Sequence, residues 1–95
     1  MLFVINNLKY DTDKMELVSD KIKYTYTWTS IIGMEMKSSG KDVKLFRSKK
    51  NNWLLTYRTD YDSRAKALNE AECKELLLRY DLEKYEELFG ELEEA

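Results

Sequence analysis

The chain contains no histidine, one cysteine and two pairs of closely spaced aspartates. These few side chains bound the chemistry open to it. Without histidine there is no group that ordinarily titrates near neutral pH, no imidazole metal ligand and no histidine-containing triad. Acid–base work would fall to carboxylates, Lys, Tyr or the single thiol. Asp11 and Asp13, and again Asp60 and Asp62, stand two residues apart, a spacing that can hold a divalent ion or divide acid and base roles. Neither pair carries the further ligands or the fixed glycine of a calcium loop, so both read as turn residues that bond their own backbone. Cys73 falls on the apolar stripe of a helix, where a free thiol packs as a small hydrophobe. Gly33, Gly40 and Gly90 are too scattered to cradle a phosphate. No catalytic residue, metal site or cofactor is assigned, and a carboxylate-dependent hydrolase using Asp11 and Asp13 is the weakest of the functional readings.

Charge offers more. Residues 1–66 carry 13 Lys and Arg against 8 Asp and Glu, a net of +5, whereas residues 67–95 carry 3 against 10, a net of −7. The overall charge of −2 therefore conceals a dipolar chain. In the acidic half, Glu70, Glu75, Glu83, Glu86 and Glu87 are candidates for a negative surface that pairs with Arg or Lys of a partner, imitating phosphates and gaining association rate by steering. In the basic half, Lys41, Lys44, Arg47, Lys49 and Lys50 cluster within Lys37–Lys50, with Trp53 and Tyr57 following. Cations beside aromatic rings are what single-stranded nucleic acid requires. The plainer readings are a helix face kept soluble by glutamate and a lysine-rich turn that guards a sheet edge.

The elements that must position these groups follow from periodicity. Phe3–Ile5 and Leu8–Tyr10 flank Asn6-Asn7, a pair that tolerates the positive φ of a two-residue hairpin turn. Met15–Val18 fits either a short strand or a helical turn. From Tyr24 to Met36 the even positions are mostly apolar and the odd positions mostly polar, a strand signature long enough to need a bend or bulge around Ser30–Gly33, which can divide it into two strand segments. Its even-parity aromatics could also form the face of a homodimer. Ser38–Lys41 reads as a turn. Val43 and Leu45, then Trp53, Leu55 and Tyr57, define a further hairpin whose odd positions face the core.

Asn69 followed by Glu72 is a capping box, with Leu68 able to staple onto Cys73. Cys73, Leu76, Leu77 and Tyr80 then make one helical stripe. Asp81 can cap a second helix, Leu82 to Phe89, in which Leu82, Tyr85, Leu88 and Phe89 turn inward before Gly90 ends it. At 95 residues, with 43% apolar residues and no proline, the chain reads as one α+β domain. It is β-rich over 1–66 and helical over 67–95. An antiparallel sheet of three to five strands within residues 2–58 carries the helices 70–80 and 82–89 on one face. One cysteine and an opening apolar run of five residues favour a reducing cytoplasm, with no signal peptide or membrane span.

Tyr10-Asp11-Thr12-Asp13-Lys14, the stretch Leu45 to Leu55, Leu68-Asn69-Glu70-Ala71-Glu72 and Tyr85-Glu86-Glu87-Leu88-Phe89-Gly90 together resemble a group of small proteins encoded by phages and mobile elements of Gram-positive bacteria. The resemblance implies a context, a bacterial host cytoplasm in which small non-enzymatic acidic proteins, anti-CRISPR proteins among them, block host defences. It assigns no functional residue. Joined to the charge partition, it makes the leading expectation a binding protein whose acidic helices occupy the nucleic-acid groove of a host defence protein such as a CRISPR effector. The alternative is a nucleic-acid-binding or regulatory module using the basic hairpin.

Overall fold

The computed structural model describes all residues, 1–95. The chain opens with β1 (Leu2–Ile5) and β2 (Leu8–Asp11), an antiparallel hairpin. Asn6 and Asn7 close it with φ of 51° and 63°, the left-handed pair that a tight hairpin turn demands. A 3-10 turn over Thr12–Lys14 leads into β3 (Glu16–Ser19), so the ambiguous Met15–Val18 segment is extended. Next come β4 (Thr25–Thr29), β5 (Glu35–Ser39), β6 (Lys41–Arg47), β7 (Trp53–Arg58) and β8 (Ser63–Leu68), then α1 (Glu70–Tyr80) and α2 (Leu82–Phe89).

The principal sheet has the order β3-β6-β7-β8 and is antiparallel throughout. It is four-stranded, with the two C-terminal helices on one face, and the fold is α+β as the periodicity predicts. One detail differs: β8 extends the sheet beyond residue 58. The alternating run 24–36 breaks around Ser30–Gly33 into two strand segments, and these pair with each other as a hairpin. Ser30 N donates to Met34 O at 2.8 Å and Gly33 takes φ of 81°, which turns β5 back along β4.

On β7, Trp53, Leu55 and Tyr57 share the helix-facing side, as their parity predicts. They join Val18, Ile22, Val43, Leu45, Cys73 and Leu77 in one core cluster. Fully burying side chains such as Leu45, Leu55 and Leu77 stabilises by about 1.5–3 kcal/mol each. Leu54 points to the opposite face and is also fully buried, outside that cluster, as is nearly all of Tyr10 on β2. The β1–β2 hairpin approaches this side, β1 lying against β8. The central strand is thus covered on both faces.

The helices begin as the sequence specifies. Glu72 N donates to Asn69 Oδ1 at 2.8 Å while Asn69 N donates to Glu72 Oε1 at 3.1 Å. Lys84 N donates to Asp81 Oδ1 at 3.3 Å, and Gly90 ends α2 with φ of 100°. Tyr85, Leu88 and Phe89 pack against the core, but Leu82, expected inside, is 46% exposed. It shares their stripe by spacing, but it is the first residue of α2, at the end of the helix. No helix is long and apolar enough to cross a membrane.

The β4–β5 ribbon shares no ladder with the principal sheet. Its root is held by Tyr24 and Tyr26, whose rings lie 4.8 Å and 5.5 Å from that of Tyr57. Its far end projects. The radius of gyration, 14.7 Å, exceeds the roughly 12 Å of a compact chain of this length, and the extents are 49 × 34 × 20 Å.

Candidate acidic groove on the C-terminal helices

The five candidate glutamates do not share one face. Glu70 is the first residue of α1, exposed, where a carboxylate complements the helix dipole. Glu75 is exposed beside a recess between α1 and β8 that also takes Lys66, Glu72 and Arg79. Glu86 is half-buried and accepts a hydrogen bond from Leu92 N at 3.1 Å, so it ties down the C-terminal tail.

Glu83 and Glu87 come together. They stand one turn apart on α2 and line a groove of about 250 Å³ between that helix and the β3 end, with Asp20, Lys21, Asp81 and Lys84. Glu87 is bridged to Lys84 at 3.1 Å, an exposed pair on one helix that contributes little to stability. Asp20 is the member that sequence reasoning missed. It lies in the basic half of the chain, and only the packing of α2 beside the end of β3 brings it to the helix carboxylates.

At the groove's base Ser19 Oγ donates to Asp81 Oδ2 at 2.6 Å, and Lys21 N donates to Ser19 Oγ at 3.2 Å. Both side chains are buried, and Asp81 also caps α2. This carboxylate therefore holds β3 to the helix junction, while Glu83, Glu87 and Asp20 face solvent.

The basic candidates are differently disposed. Lys41 bridges Asp60 at 2.5 Å, Lys44 lies 3.9 Å from Asp42, and Arg47 lies 3.2 Å from Glu16 with its guanidinium 5.5 Å from the Trp53 ring centre. Only Lys49 and Lys50, at the β6–β7 turn, are exposed and free of ion pairs. Trp53 and Tyr57 are core residues, so the flat faces that bases would stack on are buried. Every bridge of a hairpin cation is to a carboxylate of the β-rich half, and none reaches a helix glutamate.

The paired aspartates are turn residues. Asp11 Oδ1 accepts from Asp13 N at 3.1 Å. Asp62 Oδ1 accepts from Thr59 Oγ1 at 2.6 Å, which with the nearby Arg64 holds its carboxyl below the usual range. Asp60 is lowered by its hydrogen bond and attraction to Lys41. Burial pushes the Cys73 thiol up to about 12, with Glu72 and Glu70 adding to the rise, so it is no nucleophile near neutral pH. No group of three or more Cys, Asp or Glu side chains converges as a metal site.

What the arrangement offers is a fixed set of carboxylates along one groove and the helices that flank it. Compared with family models, curated proteins and solved structures, the chain gives no match.

Proposed function

We propose that this chain is a non-enzymatic, phage-type binding protein that inhibits a host defence nucleoprotein, its acidic helical surface competing with nucleic acid for a basic groove. One observation carries the reading. The hairpin cations close their ion pairs within the β-rich half, leaving the glutamates of the helices to project a negative field. Glu83 and Glu87, with Asp20, form the centre of the contact, and Glu75, beside the separate recess of α1, and Glu70, at the start of α1, add to the field instead of lining the same groove. Glu86 sits at its margin, bonded to the tail.

The test is displacement of fluorescein-labelled target DNA from a panel of guide-loaded CRISPR effectors, read by anisotropy. The wild-type chain should displace DNA from at least one. The triple variant E75K/E83K/E87K should do so at least tenfold more weakly, with an unchanged melting temperature, because all three side chains are exposed. Equal inhibition by the variant would reduce the acidic surface to solvation, and no displacement from any effector would remove the CRISPR reading.

The free ammonium groups of Lys49 and Lys50 favour a second reading, a nucleic-acid-binding or regulatory module on the hairpin that includes Lys41, Lys44 and Arg47. That module would shift labelled single-stranded DNA in a gel, and the shift would weaken steeply with added salt.

A further inference from the structure

The β4–β5 ribbon has two features that the helices do not explain. It is an isolated pair of strands, a unit that is marginal in water without a third strand or a packed face. It also displays large apolar side chains. Trp28 and Met36, which are cross-strand partners, are 42% and 39% exposed, and Met34, Ile31 and Ile32 at the turn are 56%, 105% and 80% exposed.

The hydrogen-bond phase identifies what the ribbon's edge presents. Ser30 N donates to Met34 O and Gly40 N donates to Tyr24 O, both at 2.8 Å, on the register that pairs Trp28 with Met36. Even-numbered residues therefore bond across the hairpin, and the N–H and C=O groups of Glu35 and Lys37 point outward along β5. No further strand pairs there. Glu35 and Lys37 are both exposed, and neither has an ion-pair partner within the chain.

We propose that the free edge of β5 is a dimer interface that pairs antiparallel with β5 of a second copy about a two-fold axis at Met36. The phase of the outward groups and the order of the charges agree on this register. Glu35 of each copy exchanges both ladder bonds with Lys37 of the other, and each places its carboxylate beside the other's ammonium. An edge lysine usually discourages strand addition. Here a Glu two residues before it makes the edge self-complementary, as an isologous contact requires. Met36 meets Met36 of the second copy in the intervening non-hydrogen-bonded pair, where side chains approach most closely.

The two ribbons become one four-stranded sheet, with Trp28 and Met36 continuing their apolar row across the axis. The same register carries the Ile31–Ile32 tip toward Ser39 and Gly40 at the root of the other ribbon. Those two residues border a recess of about 670 Å³ that includes Ile22, Tyr24 and Val43. The occupant is thus another copy of this chain, by charge order and by strand phase. The surface is separate from the acidic groove and independent of what that groove binds.

Sedimentation equilibrium of the full chain, with amide exchange on the same samples, tests the inference. The wild type should dimerise with rising concentration, and the Lys37 and Glu35 amides should become protected while that of Thr27, on the outer edge of β4, stays fast. K37E should weaken the dimer at least tenfold by setting like charges against each other. The exchanged variant E35K/K37E should restore it, since the charge order is only reversed. All three should keep the same melting temperature at concentrations where they are monomeric, because both positions are exposed. A monomeric wild type at millimolar concentration, protection at Thr27 instead of Lys37, or indifference to K37E would overturn the inference. So would a monomer that sediments with zwitterionic phospholipid vesicles, which would make the apolar tip a membrane contact.

Discussion

Asp81 serves two helices and a strand at once. Its backbone N–H donates to Leu77 O at 2.8 Å to end α1, its Oδ1 accepts from Lys84 N to begin α2, and its Oδ2 accepts from buried Ser19. A lost N-cap costs about 1 kcal/mol and a lost hydrogen bond to a charged group about 1.5–3 kcal/mol. Asp81→Ala should therefore destabilise by about 2–4 kcal/mol in urea titration, and Asp81→Asn, which can still cap, by roughly 1 kcal/mol. Equal losses would mean that the charge, not the cap, dominates. Cys73 tests burial differently. An unfolded thiol ionises near 9, whereas the folded one keeps its proton to about 12. The stabilising contribution is whole below pH 9 and declines as pH rises toward 12, because only the unfolded state releases the proton in that interval. At pH 8 the native thiol should not react with an aromatic disulfide reagent, and it should react stoichiometrically once guanidinium unfolds the chain. Rapid labelling of the native protein would contradict its burial.

Among the elements, β7 is the one whose two faces are both hidden. Leu54 and Leu55 are each fully buried, on opposite sides of the strand. Leu54→Ala and Leu55→Ala should each lower stability by about 2–5 kcal/mol, measured by chemical denaturation. A near-neutral Leu54→Ala would mean that the β1–β2 hairpin is a loose appendage. The legibility of the elements tracks how local their causes are. The Asn69–Glu72 box, the Asp81 cap and the Asn6-Asn7 turn act over a few residues, and each is where its sequence places it. β8 was not legible, because Ser-Arg-Ala-Lys-Ala-Leu has no β-branched or aromatic residue. It is extended because β7 offers a free ladder from Trp53 to Arg58. The turn at Ser30–Met34 was half legible: Gly33 marked the break, but only the pairing of Thr29 with Glu35 distinguishes a reversal from a kink. The acidic groove was legible in charge and not in membership, since Asp20 and Glu83 are neighbours only through packing.

For the molecule as a whole, the decisive property is that opposite charges remain apart. Lys41, Lys44 and Arg47 pair with Asp60, Asp42 and Glu16 inside the sheet half, which keeps its net of +5. The helical half has three cations for ten carboxylates and keeps most of its deficit. Such a field acts chiefly on encounter, so the inhibition proposed for the acidic surface should lose association rate as ionic strength rises, while E75K/E83K/E87K should show little of that dependence. The projecting ribbon lies outside this electrostatic division. It exposes large apolar side chains beside Glu35 and Lys37, and the interaction assigned to it depends on strand pairing and local charge order instead of net charge.

The junction between α1 and α2 is a single residue, with φ of −149° and ψ of 68° and with both its main chain and its carboxylate already bonded. A hinge has nowhere to form. Glu75 and Glu83 are consequently held at a set spacing before any encounter, like teeth cut on one key. A partner of the proposed kind would not wait for a loop to order, and that saving in conformational entropy would be kept as affinity.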